Sequence, residues 1–301
     1  MKVCGKEARI KGQLIRIAKL AGDGYEFLKD PDAAVESLRE SRERIDLFTF
    51  TRELSKTSPI SKYPMEWDNM AVLSVSTFDE WWTKQINDKT RNMIRRAGKK
   101  NVTILEIPFD DALVKGISTI YNECPTRQGK PFWHYGKNLD TVRKENGTYL
   151  EQSVFIGAYL GSDLIGFAKL VSDDDRGQAS LMQILSMIQH RDKAPTNALI
   201  AQAVRSCAQR GITNLVYAAF AYGEKQQDSL SDFKQHNGFK RIEIPRYYVP
   251  LTNLGKLAFR LGWHRGFKGY IPKPVFAQLR NVRSLWASCR FQAGKQPSNQ
   301  S

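Results

Sequence analysis

Acidic residues stop at Glu243. Beyond it come Arg246, Lys256, Arg260, Arg265, Lys268, Lys273, Arg280, Arg283, Arg290 and Lys295, so ten positive charges of a net +15 are crowded into one end of the chain. Such a block is a solvated tail, or a local field on nucleic acid, anionic lipid or a polyanionic substrate. Cysteine is scarce as well: Cys4, Cys124, Cys207 and Cys289 lie far apart, with no Cys-x-x-Cys pair and no histidine at ligand spacing. That argues against a disulfide framework and a zinc site, and reduced thiols are expected. No stretch approaches the ~20 apolar residues of a spanning helix. Lys2, Lys6, Arg9, Lys11, Arg16 and Lys19 punctuate the first residues without a continuous apolar segment, which is unlike a signal peptide. The expectation is a cytoplasmic protein whose basic end can lie peripherally on the inner face of the membrane.

What is present is ordinary globular composition, 41% hydrophobic over 301 residues, enough for one large domain or two modest ones. Periodicity divides it into three expected segments: an α/β subdomain over 1–75, a main domain over 76–252 and a basic amphipathic tail over 253–301. In the first, 13–19 and 45–51 read as strands around a helix starting near Pro31, and 55–64 reads as a loop. A strand over 71–75 then leads to a single helix capped by Ser76 or Thr77, with Asp79 and Glu80 in its first turn and Arg95, Arg96, Lys99 and Lys100 near its end.

From Val102 the order is regular. A strand (102–108), a helix (110–123), a Gly/Pro-shaped loop (124–137) and a short helix (139–144) precede three consecutive strands, 153–160, 164–171 and 179–188, the first two joined at Gly161-Ser162-Asp163. Pro195 then opens a helix whose Leu199, Ala203, Val204, Cys207 and Ala208 recur at three- and four-residue spacing up to Gly211. Residues 212–220 are nearly all apolar and read as a buried strand, parallel to its predecessor because a helix crosses between them. A short helix (229–237) and a last strand (241–251) complete a mixed α+β class, a largely antiparallel sheet flanked by helices. In the tail, Val275, Leu279, Val282, Trp286 and Cys289 repeat at helical spacing beside Arg280, Arg283 and Arg290, a stripe that suits an anionic membrane surface or docking on the domain.

Two stretches carry chemistry. "IQHRDKAPTNALI" (188–200) breaks an apolar strand into a charged knot just before a helix, and unpaired amides at a helix start suit an anion. Ile188, Gln189, His190, Arg191, Lys193, Ala194, Thr196 and Asn197 are the candidate anion-binding residues. "CPTRQGKPFWHYGK" (124–137) interleaves polar and aromatic groups on a loop, a pattern of ligand recognition. There Arg127, Gln128, Phe132, Trp133 and Tyr135 are candidate ligand contacts, and Glu123 or His134 could accept a proton. Asp173, Asp174 and Asp175 read as a solvated turn, and no metal is expected.

This element order, with "LSDFKQHNGF" (230–239), resembles the GNAT acyltransferase superfamily over about 102–251. The resemblance implies acyl-CoA as co-substrate, its pyrophosphate cradled after the strand that ends near Ile188, and an amine acceptor bordered by the 124–137 loop. Arg191, Ala194 and Thr196 fall where the family's loop pattern has its polar residue and two glycines, so both glycines are absent. Lys234 stands where many members have a tyrosine that protonates the leaving thiolate. Tyr217, Tyr222, Lys225 and Lys234 would lie where the acyl group meets the amine, Tyr217 as a substrate contact, Tyr222 and Lys234 as catalytic groups. Both departures, with "TRNMIRRAGKKNV" (90–102) and the Phe233-Lys234 pair, look like the Fem-type branch, which takes amino acids from aminoacyl-tRNA. Three readings therefore stand: an N-acyltransferase using acyl-CoA, a Fem-like aminoacyltransferase with tRNA as partner, and a non-catalytic module binding anionic polymer or lipid.

Overall fold

A computed structural model describes residues 1–265 apart from 24–25, 55–57, 174–176 and 223–227. Lys225 and the stripe from Val275 to Cys289 lie outside the described residues. The described residues form two compact units, one within 1–21, 30–49 and 247–265, the other within 22–29 and 50–246. Residues 247–265 thus group with the amino-terminal residues, a different partition from 1–75, 76–252 and 253–301.

In the smaller unit β1 (Lys2–Val3) and β2 (Lys6–Lys11) precede β3 (Ile17–Leu20), α1 (Pro31–Arg39) and β4 (Leu47–Thr51). β2 pairs antiparallel with β3, and β3 runs parallel to β4. The expected strand over 13–19 is therefore shorter and later, and β2 was hidden by its charge: in KEARIK only Ala8 is buried. Asp46 fastens the unit. Its buried carboxylate accepts the Arg16 amide at 2.9 Å, the Thr252 hydroxyl at 2.8 Å and the Arg44 guanidinium at 3.2 Å. Burial alone would raise its pKa, but these hydrogen bonds hold it below the ordinary carboxylate value. Thr252 also caps a helix, Asn253–Arg260, which buries Ala258 beside Ile15 and Leu47.

The larger unit opens with β5 (Met65–Ser74) and α2 (Phe78–Glu80), capped by Thr77. The single helix expected from Ser76 is interrupted. It widens into a π-turn, Trp81–Gln85, breaks at the extended Ile86, and restarts as α3 (Asp88–Lys99) under an Asn87 cap. Then follow β6 (Val102–Ile107), α4 (Asp111–Asn122), a two-stranded hairpin β7 (Thr126–Arg127) and β8 (Lys130–Pro131), α5 (Leu139–Asn146), β9 (Ser153–Leu160), β10 (Asp163–Ser172), β11 (Gln178–Ser186), α6 (Pro195–Gln209), β12 (Asn214–Val216), α7 (Ser229–His236) and β13 (Lys240–Pro250). The last helix of the chain, Asn253–Arg260, is α8.

The sheet runs β5-β12-β11-β10-β9-β6, antiparallel except where β12 follows β11. Neighbouring residues of β10 face opposite ways, so Phe167 meets Tyr121 of α4 while Gly166 faces Leu199 of α6. β12 is shorter than the apolar run 212–220 implied. It pairs with β11 over only three residues, ending at Ser180 and Val216, after which Tyr217 and Ala218 bond to Ala71 of β5. The two parallel strands part there.

Gly255 supports a test of the Asp46 fastening. A Cβ at this position would lie 1.8 Å from the Asp46 carbonyl oxygen, which is backbone and cannot swing aside. Gly255→Ala should reverse the usual helix gain of alanine over glycine and destabilise by about 1–3 kcal/mol. Urea unfolding followed by circular dichroism measures it, and an unchanged or raised midpoint would refute the fastening.

Candidate active site

After Ser186 a 3-10 turn, Ile188–Lys193, leads to Ala194 in the left-handed region at φ 54°, and Pro195 starts α6. Of the described helices of eight or more residues, α6 alone begins without a side-chain cap. Thr196 secures the junction through its hydroxyl, 2.8 Å from Ser186 Oγ, and Asn197 Nδ2 donates to Asn237 Oδ1 at 3.3 Å. His190 keeps a buried Nδ1 without a hydrogen-bond partner. Arg191 is exposed, and Lys193 lies 3.3 Å from the Asp192 carboxylate.

Glu123 is committed to this turn. Its carboxylate accepts the Ile188 amide at 2.8 Å, the Gln189 amide at 2.9 Å and Arg127 Nη2 at 3.2 Å. Arg127 also donates to the carbonyls of Ser186 at 2.9 Å and Ile120 at 3.1 Å, and lies over Phe132 at 4.5 Å. The residue expected as a proton acceptor is therefore a latch, and two amides expected to face a donor phosphate are filled by it. Its carboxylate oxygens are already occupied by these three donors.

His134 is 6% exposed and stacks on Tyr121 with ring centroids 4.1 Å apart, with Trp133 at 4.2 Å. Burial, assisted by the Lys137 charge, pushes its pKa down to about 4. The ring is neutral at pH 7 and weakly basic. Lys137 is held by Glu145 at 2.7 Å and sits 3.4 Å over Trp133. Gln128 and Gly129, at φ 52° and 71°, form the turn of the β7–β8 hairpin, so Gln128 has a backbone task in the position expected for a substrate contact. Trp133 and Tyr135 remain outside, 71% and 47% exposed.

A second group gathers where β11 and β12 part. Lys234, on α7, is fully buried, and its ammonium donates to the Ala219 carbonyl. It lies 4.6 Å from the Tyr217 ring and 5.0 Å from the Tyr222 ring. Burial lowers its pKa to about 8, with Asp228 opposing, and no carboxylate pairs with it among the described residues. Burial likewise raises the phenols of Tyr217 and Tyr222, keeping both protonated at neutral pH. Three residues picked from the resemblance thus share one pocket of space. Trp81 and Asn237, which seat α7, escaped sequence reading: Trp81 Nε1 donates 3.0 Å to the Asn237 carbonyl across 156 residues. Among the described residues no group of three or more His, Cys, Asp and Glu side chains is placed to hold a metal ion.

The fold is GNAT-like, of the Fem type. The chain is similar to FemX at 11% identity, the match spanning 85% of this chain and 86% of FemX with a TM-score of 0.60. It is similar to L-PGS from Bacillus licheniformis at 11% identity, over 84% of this chain and 83% of that one, TM-score 0.57. A C-terminal domain assigned to lysylphosphatidylglycerol synthetase in Agrobacterium fabrum matches at 12% identity, over 84% and 83%, TM-score 0.55. The likeness therefore extends well beyond 102–251. No family model and no curated protein matches the sequence.

Two outcomes follow. Replacing Glu123 with Ala should strip protection from the Ile188 and Gln189 amides in hydrogen exchange and cost about 1.5–3 kcal/mol, the worth of hydrogen bonds to a charged group. Unchanged protection at both amides would contradict the latch. For His134 the folded pKa lies below the unfolded value, so the unfolded chain binds the extra proton first and stability falls as pH drops from about 6.5 towards 4. His134→Gln should flatten the melting temperature across that window relative to the parent. An equally steep loss in the variant would assign the acid sensitivity elsewhere.

Proposed function

We propose that the chain transfers an acyl group, foremost an aminoacyl group, from an activated ester to an amine at the opening between β11 and β12. The observation that carries this reading is Lys234, a buried cation that forms no ion pair with a carboxylate among the described residues, flanked by two protonated tyrosines where the strands separate. Amine attack on an ester carbonyl forms a tetrahedral oxyanion, and a desolvated ammonium is a strong stabiliser of such a charge. As the C–O bond breaks, the proton lost by the amine passes to the leaving oxygen, and Lys234 or Tyr222 can relay it. With a pKa of about 8, Lys234 is largely charged at pH 7.

Two features favour an aminoacyl ester over acyl-CoA. The turn after β11 lacks both glycines of the pyrophosphate loop, and its first two amides already hold Glu123. The solved structures of this fold above include proteins named for FemX and for lysylphosphatidylglycerol synthesis, the latter product being an aminoacylated lipid. Arg191, Lys193 and the uncapped start of α6 support acyl-CoA as the second reading. In both, the 124–137 loop presents Trp133 and Tyr135 to the acceptor, and the basic end supplies affinity for tRNA or an anionic membrane surface. Among the described residues no helix is long and apolar enough to cross a membrane, so membrane contact in this reading is peripheral.

The test offers the purified chain aminoacyl-tRNA and acyl-CoA separately, with amine acceptors, and follows transfer by mass spectrometry. Lys234→Met should lower turnover by about 10²–10³, the usual cost of one oxyanion donor, with donor affinity retained. The parent's rate should fall as pH rises through about 8, where the ammonium is lost. Transfer from acyl-CoA alone would install the second reading. Binding of polyanion without transfer from either donor would leave a non-catalytic module.

A further inference from the structure

On the α6 face of the sheet, opposite the face that carries α4, lies a cavity of about 370 Å³. Its walls are Phe78 and Trp82 from the α2 region, Ile94 from α3, Ile104 from β6, and Ala198 and Ala201 from α6. Two exposed residues of the lining, Gly98 and Arg205, mark its opening to solvent.

Three features gather around this place. The Arg205 guanidinium lies 4.0 Å over the Phe78 ring and Arg95 lies 5.4 Å over Trp82, and neither forms an ion pair among the described residues. Arg95 donates a hydrogen bond to Asn92, one turn back on the same helix, at 3.3 Å. Gly98 sits inside α3 at an ordinary helical φ, where an added Cβ would meet nothing within 4 Å. Neither a turn nor a close approach demands glycine there, and glycine weakens a helix. Its effect is to leave the mouth of the cavity clear.

We propose that this cavity holds the hydrocarbon chain of a single-chain anionic amphiphile, with its carboxylate against Arg205 and Arg95. The wall chemistry sets the body of the ligand, since a lining that is aromatic and aliphatic apart from Gln202 and Arg205 gains by covering methylenes. Two guanidiniums without an ion pair among the described residues set the sign of its head: Arg205 in the lining, over Phe78, and Arg95 beside the lining through its contact with Trp82. The size limits it to one chain: the cavity is near the lower end of the roughly 300–1,000 Å³ of small-molecule sites. An uncharged apolar ligand would leave both cations without a partner. This site is distinct from the Lys234 group and does not depend on the proposed transfer.

Calorimetric titration of the full chain with decanoate below its micellar concentration tests the proposal, with decanol and inorganic phosphate as separate probes. Saturable one-to-one binding of decanoate is expected, with decanol at least several-fold weaker and phosphate alone silent. Gly98→Leu should weaken decanoate more than 10-fold while keeping the fold, because the new side chain enters open space and removes a helix glycine. Ala201→Phe should do the same by filling the cavity from α6. Arg205→Gln should bring decanoate close to decanol. Absence of saturable binding by the parent, or binding unchanged by Gly98→Leu in a variant whose circular dichroism and melting match the parent, overturns the proposal. Gly98→Leu turning a dimer into a monomer also overturns it, since the cavity would then seat a second copy.

Discussion

Everything near the Lys234 group depends on two parallel strands that stay together for only three residue pairs. A parallel ladder of that length is weak on its own, and β12 gives it up to follow β5 from Tyr217 onward. The backbone released by this choice has carbonyls that need donors. Ala219 finds one in Lys234, and Phe220 finds one in Ser231, both on α7. A buried carbonyl can be satisfied by an amide or a hydroxyl at lower desolvation cost, so a lysine here is costly unless its charge is useful. That asymmetry, rather than the mere presence of a cation, is what supports the proposed reading of the opening as a chemical site.

The far side of the opening is rigid for a different reason. Glu123 and Arg127 share one ion pair, but each also bonds to backbone from a distant segment, so the pair ties α4, the end of β11 and the turn leading to α6 together. Both side chains are largely buried, 12% and 16% exposed, which makes the hydrogen bonds strong and the loss of either partner expensive. A loop fastened by a fixed internal anion has less need of glycine-bounded amides for an external one. The missing glycines and the occupied amides are thus two views of one arrangement.

Much of the scaffold was legible because it follows simple periods. β9 and β10 are apolar runs on either side of a tight turn, α6 repeats at three and four residues between Pro195 and Gly211, and α4 and α7 are capped by Asp110 and Asp228. The failures have physical reasons. β2 is a charged strand with one buried residue, β5 begins in polar MEWDNM, and the helix after Thr77 breaks at Ile86 because Trp81 is drawn into the core towards Asn237. At the site, residue types were readable but their employment was not. Glu123 looked like a free carboxylate because its amide partners lie 65 and 66 residues away, and His134 looked poised near neutrality because nothing in the loop sequence reveals the Tyr121 ring beneath it.

The proton inventory of the proposed reaction is tightened by these placements. With the Glu123 carboxylate already occupied by two amides and Arg127, and His134 pushed far below neutrality by burial, the acceptor's proton needs another destination in the proposed reading. Under the proposed reading the acceptor enters as the neutral amine and its proton leaves only after attack, when the tetrahedral nitrogen becomes strongly acidic. The leaving oxygen of an ester is then the natural destination, because an alkoxide is far more basic than a thiolate and needs the proton in order to depart. A buried lysine with a pKa near 8 beside two neutral phenols suits that relay, and it suits an oxygen ester better than a thioester, whose leaving group requires little help.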